Sequence, residues 1–107
     1  MFVEVAKTGD IAPGGKKNVS VGSGEALVCN YQGRFYAVAC KCGHMNALLA
    51  GGTLDGWILT CPAHFAQFDI RTGEALSGPV PPDAGHGTND LRSFRVKVEN
   101  GVVFVDV

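Results

Sequence analysis

Short β-forming runs between glycines and prolines constrain the fold of this chain more than any other feature. Glycine and proline together supply 20 of its 107 residues and interrupt the sequence every few positions. No window between them shows a sustained helical period with caps. The pattern therefore predicts an all-β fold, a small sandwich or barrel of antiparallel strands. The predicted strands cover residues 2–6, 18–21, 26–31, 34–39, 57–61, 67–70, 93–98 and 102–107.

Two short turns are predicted to close β-hairpins. Asn100 and Gly101 separate two β-forming runs, and an Asn-Gly pair in that position is a strong signal for a two-residue hairpin turn. Gln32 and Gly33 lie between two further runs and predict a second hairpin. A length of 107 residues predicts one domain, and 46% hydrophobic residues are enough for a modest core.

Charge and hydropathy argue against several functional classes. The net charge of −1 gives no indication of binding to nucleic acid or to an anionic membrane surface. Residues 1–17 hold no apolar run long enough for a signal peptide or a membrane span. We therefore expect a cytoplasmic protein, in which thiols stay reduced. Its four cysteines are then expected to be metal ligands or buried thiols rather than two disulfides.

Two pairs of cysteine and histidine have the spacing of a metal site. Cys42 and His44 have one residue between them, Cys61 and His64 have two, and 16 residues separate the pairs. Each pair follows a predicted strand where the chain turns, so the two loops can face each other across a sheet end. Two thiolates and two imidazoles suit either a tetrahedral zinc ion or a two-iron cluster with both cysteines on one iron.

The residues around these ligands resemble the Rieske 2Fe-2S family. CGHMNALLAGG is similar to the first cluster loop of Rieske ferredoxins, and CPAHFAQFDIRTGEAL to the second loop with its following hairpin. The stretches DIAPGGKKNVSV, GRFYAVAC and VKVENGVVFVDV also fit this family, so the resemblance covers nearly the whole chain. It implies a single Rieske domain over residues 1–107, an antiparallel β-sandwich with an inserted cluster-binding subdomain at about residues 40–79.

The same resemblance implies one 2Fe-2S cluster per chain. Cys42 and Cys61 would hold the inner iron. His44 and His64 would hold the outer, partly solvent-facing iron. Cys40 is then left over. Because it shares one face of its strand with Tyr36 and Val38, we expect it to be a buried free thiol, and the alternative is an auxiliary ligand role.

Departures from high-potential relatives imply a low reduction potential. Ala47 and Ala63 stand where those relatives carry a disulfide between the cluster loops. Ala66 and Phe68 stand where they place the Ser and Tyr hydroxyls that donate hydrogen bonds to sulfur. We therefore expect the lower part of the Rieske range, which spans roughly −150 to +300 mV.

No catalytic constellation accompanies the ligands, because the sequence shows no carboxylate pair, nucleophile–base motif or facial triad. The expected function is therefore one-electron transfer, not catalysis. By family likeness, the electron donor is a flavin-dependent reductase and the acceptor is a Rieske non-haem iron oxygenase. Two alternatives stay open: an accessory subunit similar to the small subunit of nitrite reductase, and a structural zinc module with two cysteine and two histidine ligands.

The other residues with notable chemistry are interpreted structurally. Trp57 is expected to pack beneath the second loop rather than to relay electrons, His86 is expected to be a surface histidine, and residues 82–90 are expected to form a long loop without an assigned role. Residues 40–90, which we call the acidic lobe, carry two basic against five acidic side chains, a net charge of −3. The lobe either meets partners that have basic docking patches or is a solvated surface.

Overall fold

Antiparallel strands make up most of the part of the chain that the structure describes, which confirms the all-β prediction. The computed structural model describes residues 1–21, 24–40, 49–62, 66–77 and 90–107. No helix in these ranges is long and apolar enough to cross a membrane. In chain order the strands are β1 (Phe2–Lys7), β2 (Lys16–Val21), β3 (Gly24–Tyr31), β4 (Arg34–Ala39), β5 (Thr53–Asp55), β6 (Ile58–Thr60), β7 (Gln67–Asp69), β8 (Ala75–Ser77), β9 (Ser93–Phe94), β10 (Val96–Glu99) and β11 (Val102–Asp106), with short 3-10 turns at Thr8–Asp10 and Leu49–Gly51.

These strands form three antiparallel sheets. The first sheet has the order β1-β11-β10, and the second has the order β2-β3-β4-β9. The third sheet, β5-β6-β7-β8, is a meander of three-residue strands. Because β4 and β9 are neighbours in the second sheet, the whole third sheet is inserted in the sequence between two adjacent strands of the second.

Both predicted hairpin turns are present. The φ angles are 53° at Gln32 and 87° at Gly33, and 52° at Asn100 and 76° at Gly101. Positive φ at both central residues is the signature of a type I′ turn, whose twist matches that of the strands it joins. Gln32 is less suited to this conformation than Asn100, because glycine enters the left-handed region routinely and asparagine occasionally, whereas most other residues avoid it.

The second sheet is covered on both faces, because successive side chains of a strand point to opposite sides. Leu27 and Cys29 of β3 face a buried cluster shared with the third sheet, which we call the third-sheet core. Ala26 and Val28 face a buried cluster shared with the first sheet, the first-sheet core. The third-sheet core also contains Val38, Leu49, Leu59, Cys61, Ala66, Phe68, Ile70 and Leu91, and the first-sheet core also contains Ala6, Ile11, Val19, Val21, Ala37, Val103 and Val105.

Two details of the strand prediction are wrong. The predicted strand at residues 93–98 is two strands, because the chain passes from the second sheet to the first at Arg95. The prediction also lacks β5 and β8, whose sequences TLD and ALS are too short to show an alternating pattern. Their extended conformation comes from pairing with β6 and β7, which is a tertiary effect.

A buried asparagine joins β3 to the loop that precedes β2. Asn30 is 3% exposed, and its Nδ2 donates to the Ile11 carbonyl at 2.8 Å while its Oδ1 accepts from the Gly33 N–H at 2.8 Å. The backbone of Asn30 bonds to the same loop, since the Gly14 N–H donates to its carbonyl and its own N–H donates to Gly15. One side chain therefore fastens the loop and the β3–β4 turn to each other.

Candidate metal centre

Of the four predicted ligands, Cys61 lies within the described residues. It directly follows β6, and its side chain is fully buried in the third-sheet core. Cys42, His44 and His64 lie outside the described residues, and the ligand roles of all four residues stay predictions. The same holds for the expectations about Ala47, Ala63 and His86 and for residues 82–89 of the predicted loop.

The segment that contains Cys42 and His44 is flanked by two residues that are hydrogen-bonded to each other. β4 ends one residue before Cys40, whose carbonyl accepts a hydrogen bond from the Leu49 N–H at 2.9 Å. Leu49 is fully buried in the third-sheet core. The two ends of the 41–48 segment, the first ligand segment, are therefore held together by the described residues.

The segment that contains His64 is closed in the same way. Thr60, the last residue of β6, pairs with Gln67, the first residue of β7. The Cys61 N–H donates to the Ala66 carbonyl at 2.8 Å. Residues 61–66, the second ligand segment, therefore form the connection of a β6–β7 hairpin, the strand-to-turn position that the sequence predicts.

A close backbone contact lies between the chain that follows the first ligand segment and the start of the second. A Cβ atom on Gly52 would clash with the Thr60 carbonyl oxygen and would lie 3.2 Å from Cδ of Pro62, so glycine is required there. The chain that leaves the first ligand segment therefore runs directly past the start of the second. A pocket of about 220 Å³ opens at this contact and is lined by Gly51, Gly52, Thr53, Thr60, Cys61 and Pro62.

The surroundings of Cys61 fit a metal-bound thiolate. Ala66 and Phe68, which share the third-sheet core with Cys61, are also fully buried. An apolar environment of this kind accommodates either a neutral thiol or a thiolate whose charge is balanced by a metal ion. Two thiolates and two imidazoles meeting at this end of the third sheet would suit a 2Fe-2S cluster or a zinc ion, as the sequence indicates.

The two other described cysteines are buried thiols. Burial raises the pKa of the Cys29 thiol to about 12, so this residue stays protonated and unreactive. Cys40 is 8% exposed, and its Sγ lies 4.0 Å from Oε2 of Glu25 on β3. The expected burial of Cys40 is confirmed, and its absence from the ligand set stays a prediction.

At the end of the third sheet away from Cys61, Trp57 and Arg71 form a stacked pair. Trp57 is half-buried against the third-sheet core, which confirms that it packs, and its place beneath the second loop stays a prediction because residues 63–65 lie outside the described residues. The Arg71 guanidinium carbon lies 4.2 Å from the centroid of the Trp57 ring. Nη2 of Arg71 lies 2.9 Å from Oδ2 of Asp69, and the hydrogen bonds from Arg71 hold the pKa of the Asp69 carboxyl below its usual value. The positive charge of Arg71 is therefore balanced within the sheet.

The chain is similar to known proteins over nearly its whole length. The family model of the Rieske [2Fe-2S] domain matches residues 1–95. The chain is 40% identical to the ferredoxin component of the p-cumate 2,3-dioxygenase system of Pseudomonas putida, over 99% of this chain and 86% of that protein. The solved structure of Sphingomonas yanoikuyae B1 ferredoxin is similar with a TM-score of 0.87 and 27% identity, over 100% of this chain and 99% of that chain. One chain in a solved complex of reduced oxygenase and oxidized ferredoxin in carbazole 1,9a-dioxygenase is similar with a TM-score of 0.85 and 34% identity, over 97% of this chain and 91% of that chain.

Proposed function

The chain belongs to the Rieske [2Fe-2S] domain family, and we propose on that premise that it is a ferredoxin that carries single electrons between other proteins. The observation that carries this proposal is the similarity to ferredoxins along the whole chain. The described structure adds a buried cysteine at the start of the second ligand segment, and hydrogen bonds that close the ends of both segments. We assign the chain no catalytic residue of its own.

We assign one cluster per chain to the four predicted ligands. Cys42 and Cys61 are assigned to the inner iron, and His44 and His64 to the outer iron. The full burial of Cys61 supports an inner position. When bound, a 2Fe-2S cluster takes up and releases one electron at a time. The part played by the chain is to hold the ligands at fixed separations and to keep water away from the thiolate side.

We propose that residues 40–79 act as the cluster-binding subdomain of a single domain. This range contains both ligand segments and the third sheet, and the first and second sheets would form the base. The insertion of the third sheet between two neighbouring strands of the second supports this division. The shared third-sheet core supports a subdomain that is packed firmly on the base.

A low reduction potential within the Rieske range follows from the side chains near sulfur. Two imidazoles in place of two thiolates make the cluster less negative, which raises its potential above that of an all-cysteine cluster. Within the Rieske range, hydrogen bonds to sulfur raise the potential further. Ala66 and Phe68, fully buried in the same core as Cys61, offer no side-chain donor. Ala47 and Ala63 exclude a disulfide at those positions of the two segments.

We propose a flavin-dependent reductase as the electron donor and a Rieske non-haem iron oxygenase as the acceptor, in the cytoplasm. The similar proteins are a ferredoxin component of a dioxygenase system and a ferredoxin in complex with an oxygenase. On this chain, the described part of the acidic lobe exposes Asp55, Glu74 and Asp90, while the charge of Arg71 is already paired. Such a surface would attract basic patches on the partners through salt-sensitive encounters.

Stoichiometric reduction tests this function. Anaerobic titration with dithionite should bleach the visible absorption with one electron per chain. The reduced protein should give an electron paramagnetic resonance signal and the oxidised protein none, because only the reduced cluster has an unpaired electron. NADH with a catalytic amount of a flavin-dependent reductase from a dioxygenase system should produce the same reduced state. A colourless protein that accepts no electrons would contradict the proposal.

A further inference from the structure

We propose that residues 90–92 form a positioning strap that holds the third sheet, with its ligand Cys61, at a fixed place relative to β4. The inference rests on the proposed function, because β4 leads into the segment that contains Cys42. The strap (residues 90–92) would thereby keep the two ligand segments in register at the site of the cluster.

On one side, the strap extends the pairing of β9 with β4. β9 is hydrogen-bonded to β4 in the second sheet. The Arg92 carbonyl continues this ladder by accepting a bond from the Ala39 N–H at 2.8 Å. Ala39 is the last residue of β4, and the first ligand segment begins two residues later. The strap is therefore fastened to the strand from which the first ligand segment emerges.

On the other side, the strap is bonded to the turn between β7 and β8. The Leu91 N–H donates to the Gly73 carbonyl at 2.7 Å, and Oδ1 of Asp90 accepts from the Ala75 N–H at 2.8 Å. Gly73 has a φ of +84°, and a Cβ atom there would clash with the Leu91 carbonyl oxygen. Two independent reasons therefore require glycine at this contact: the backbone conformation and the close approach of the strap. The Leu91 side chain adds to the contact because it is buried in the third-sheet core.

The turn that receives the strap is itself held by several hydrogen bonds. The Asp69 carbonyl accepts from the Gly73 N–H at 2.7 Å, and its carboxylate accepts from the backbone and the side chain of Arg71. Arg71 in turn stacks on Trp57 of the neighbouring β5–β6 connection. The strap, the turn and β7 are therefore connected by hydrogen bonds, so that a displacement of the strap would also displace β7. The second ligand segment ends where β7 begins.

The location of the strap explains why it matters for the ligands. The hydrogen bond from the Leu49 N–H to the Cys40 carbonyl joins the 3-10 turn that precedes the third sheet to the residue that follows β4. The strap is attached next to Cys40 on the β4 side, at Ala39, but on the third sheet it is attached at the end of β7 that is far from Cys61, and this second attachment restricts rotation of the sheet about the first. A metal site needs its ligands within about 0.5 Å of their working positions, and two separated ties restrict such a rotation far better than one.

Replacement of Asp90 tests the strap without changing its backbone. Asp90→Ala removes the acceptor of the Ala75 N–H, and Asp90→Asn keeps an oxygen acceptor in the same place. Asp55→Ala is the matched control, because it removes an exposed carboxylate of the same lobe that makes no hydrogen bond within the described part of the chain. Iron release to a chelator, the resonance spectrum of the reduced state and thermal unfolding would be measured for the cluster-loaded wild type and the three variants.

We expect Asp90→Ala to release iron about fivefold faster than wild type, the factor that corresponds to the net loss of one hydrogen bond. Its resonance lines should broaden, because the ligand geometry becomes heterogeneous, a change that a general loss of stability would not produce. Asp90→Asn and Asp55→Ala should stay within about twofold of wild type, as surface substitutions usually do.

Two outcomes would count against the inference in different ways. The wild type could carry the cluster while Asp90→Ala matches Asp55→Ala in iron release and in line width. That result would overturn the role of the strap and leave the proposed function standing. A wild type that contains neither iron nor sulfide would contradict the proposed function and, with it, any role of the strap in positioning ligands.

Discussion

Replacing Asn30 should destabilise the base of the protein more than any ordinary polar substitution. Asn30→Ala removes the two side-chain hydrogen bonds to Ile11 and Gly33, each 2.8 Å long. The Ile11 carbonyl would be left buried and unpaired at a cost of about 1–3 kcal/mol, whereas the exposed Gly33 N–H can bond to water and costs about 0.5–1 kcal/mol. The free energy of unfolding should therefore fall by about 1.5–4 kcal/mol in total.

Asn18→Ala is the matched control for this prediction. Asn18 lies on β2 of the same sheet, and its buried Oδ1 finds no hydrogen-bond partner in the described ranges. Its removal should not lower the free energy of unfolding, because it deletes a buried acceptor that has no partner in the described ranges. Equilibrium urea unfolding, followed by circular dichroism on proteins of equal iron content, measures both differences, because bound metal would otherwise add stability. Equal losses in the two variants would refute the reasoning that the bonds of Asn30 are what stabilises this region.

Three further changes test the sulfur environment, the choice of ligand cysteine and the turn between β3 and β4. Ala66→Ser combined with Phe68→Tyr should raise the reduction potential by about 30 mV per hydroxyl, since each new bond to sulfur should favour the reduced state by about half of its 1.5 kcal/mol. Protein-film voltammetry measures this, and an unchanged potential with an intact cluster would show that the hydroxyls do not reach sulfur. Cys40→Ala should keep the iron content and visible absorption that Cys61→Ala loses, and the reverse result would mean that the wrong cysteine is assigned as a ligand. Gln32→Asn should raise the free energy of unfolding, measured by urea unfolding, by about 0.5 kcal/mol, because asparagine tolerates positive φ better than glutamine does. A less stable variant would contradict this explanation of the turn.

Local sequence signals predict the hairpins of this fold but not the assignment of strands to sheets. Asn100 and Gly101 predict their turn because its conformation depends on those two residues themselves. The passage of the chain between sheets at Arg95 has no such signal, so the run from 93 to 98 looks like one strand. β5 and β8 are extended because their neighbours pair with them, which cannot be read from three residues.

The ligand pattern is a local signal as well, whereas the contacts that hold the ligand segments are not. Cys61 can be placed at the end of a strand from its flanking residues alone, and the structure confirms that position. The requirements for Gly52 and Gly73 arise from the backbones of Thr60 and Leu91, which reach these glycines only after the sheets have formed. Pairs such as Gly51-Gly52 indicate that some backbone approaches closely, but the approaching residue depends on the tertiary fold.

Metal and sulfide analysis tests the central claim most directly. We expect two irons and two acid-labile sulfides per chain in the purified protein, held through Cys42, His44, Cys61 and His64. The protein should be red-brown, and replacement of any one of these ligands should reduce both contents together. One zinc ion per chain without sulfide would contradict the account and would identify the site as a structural zinc module.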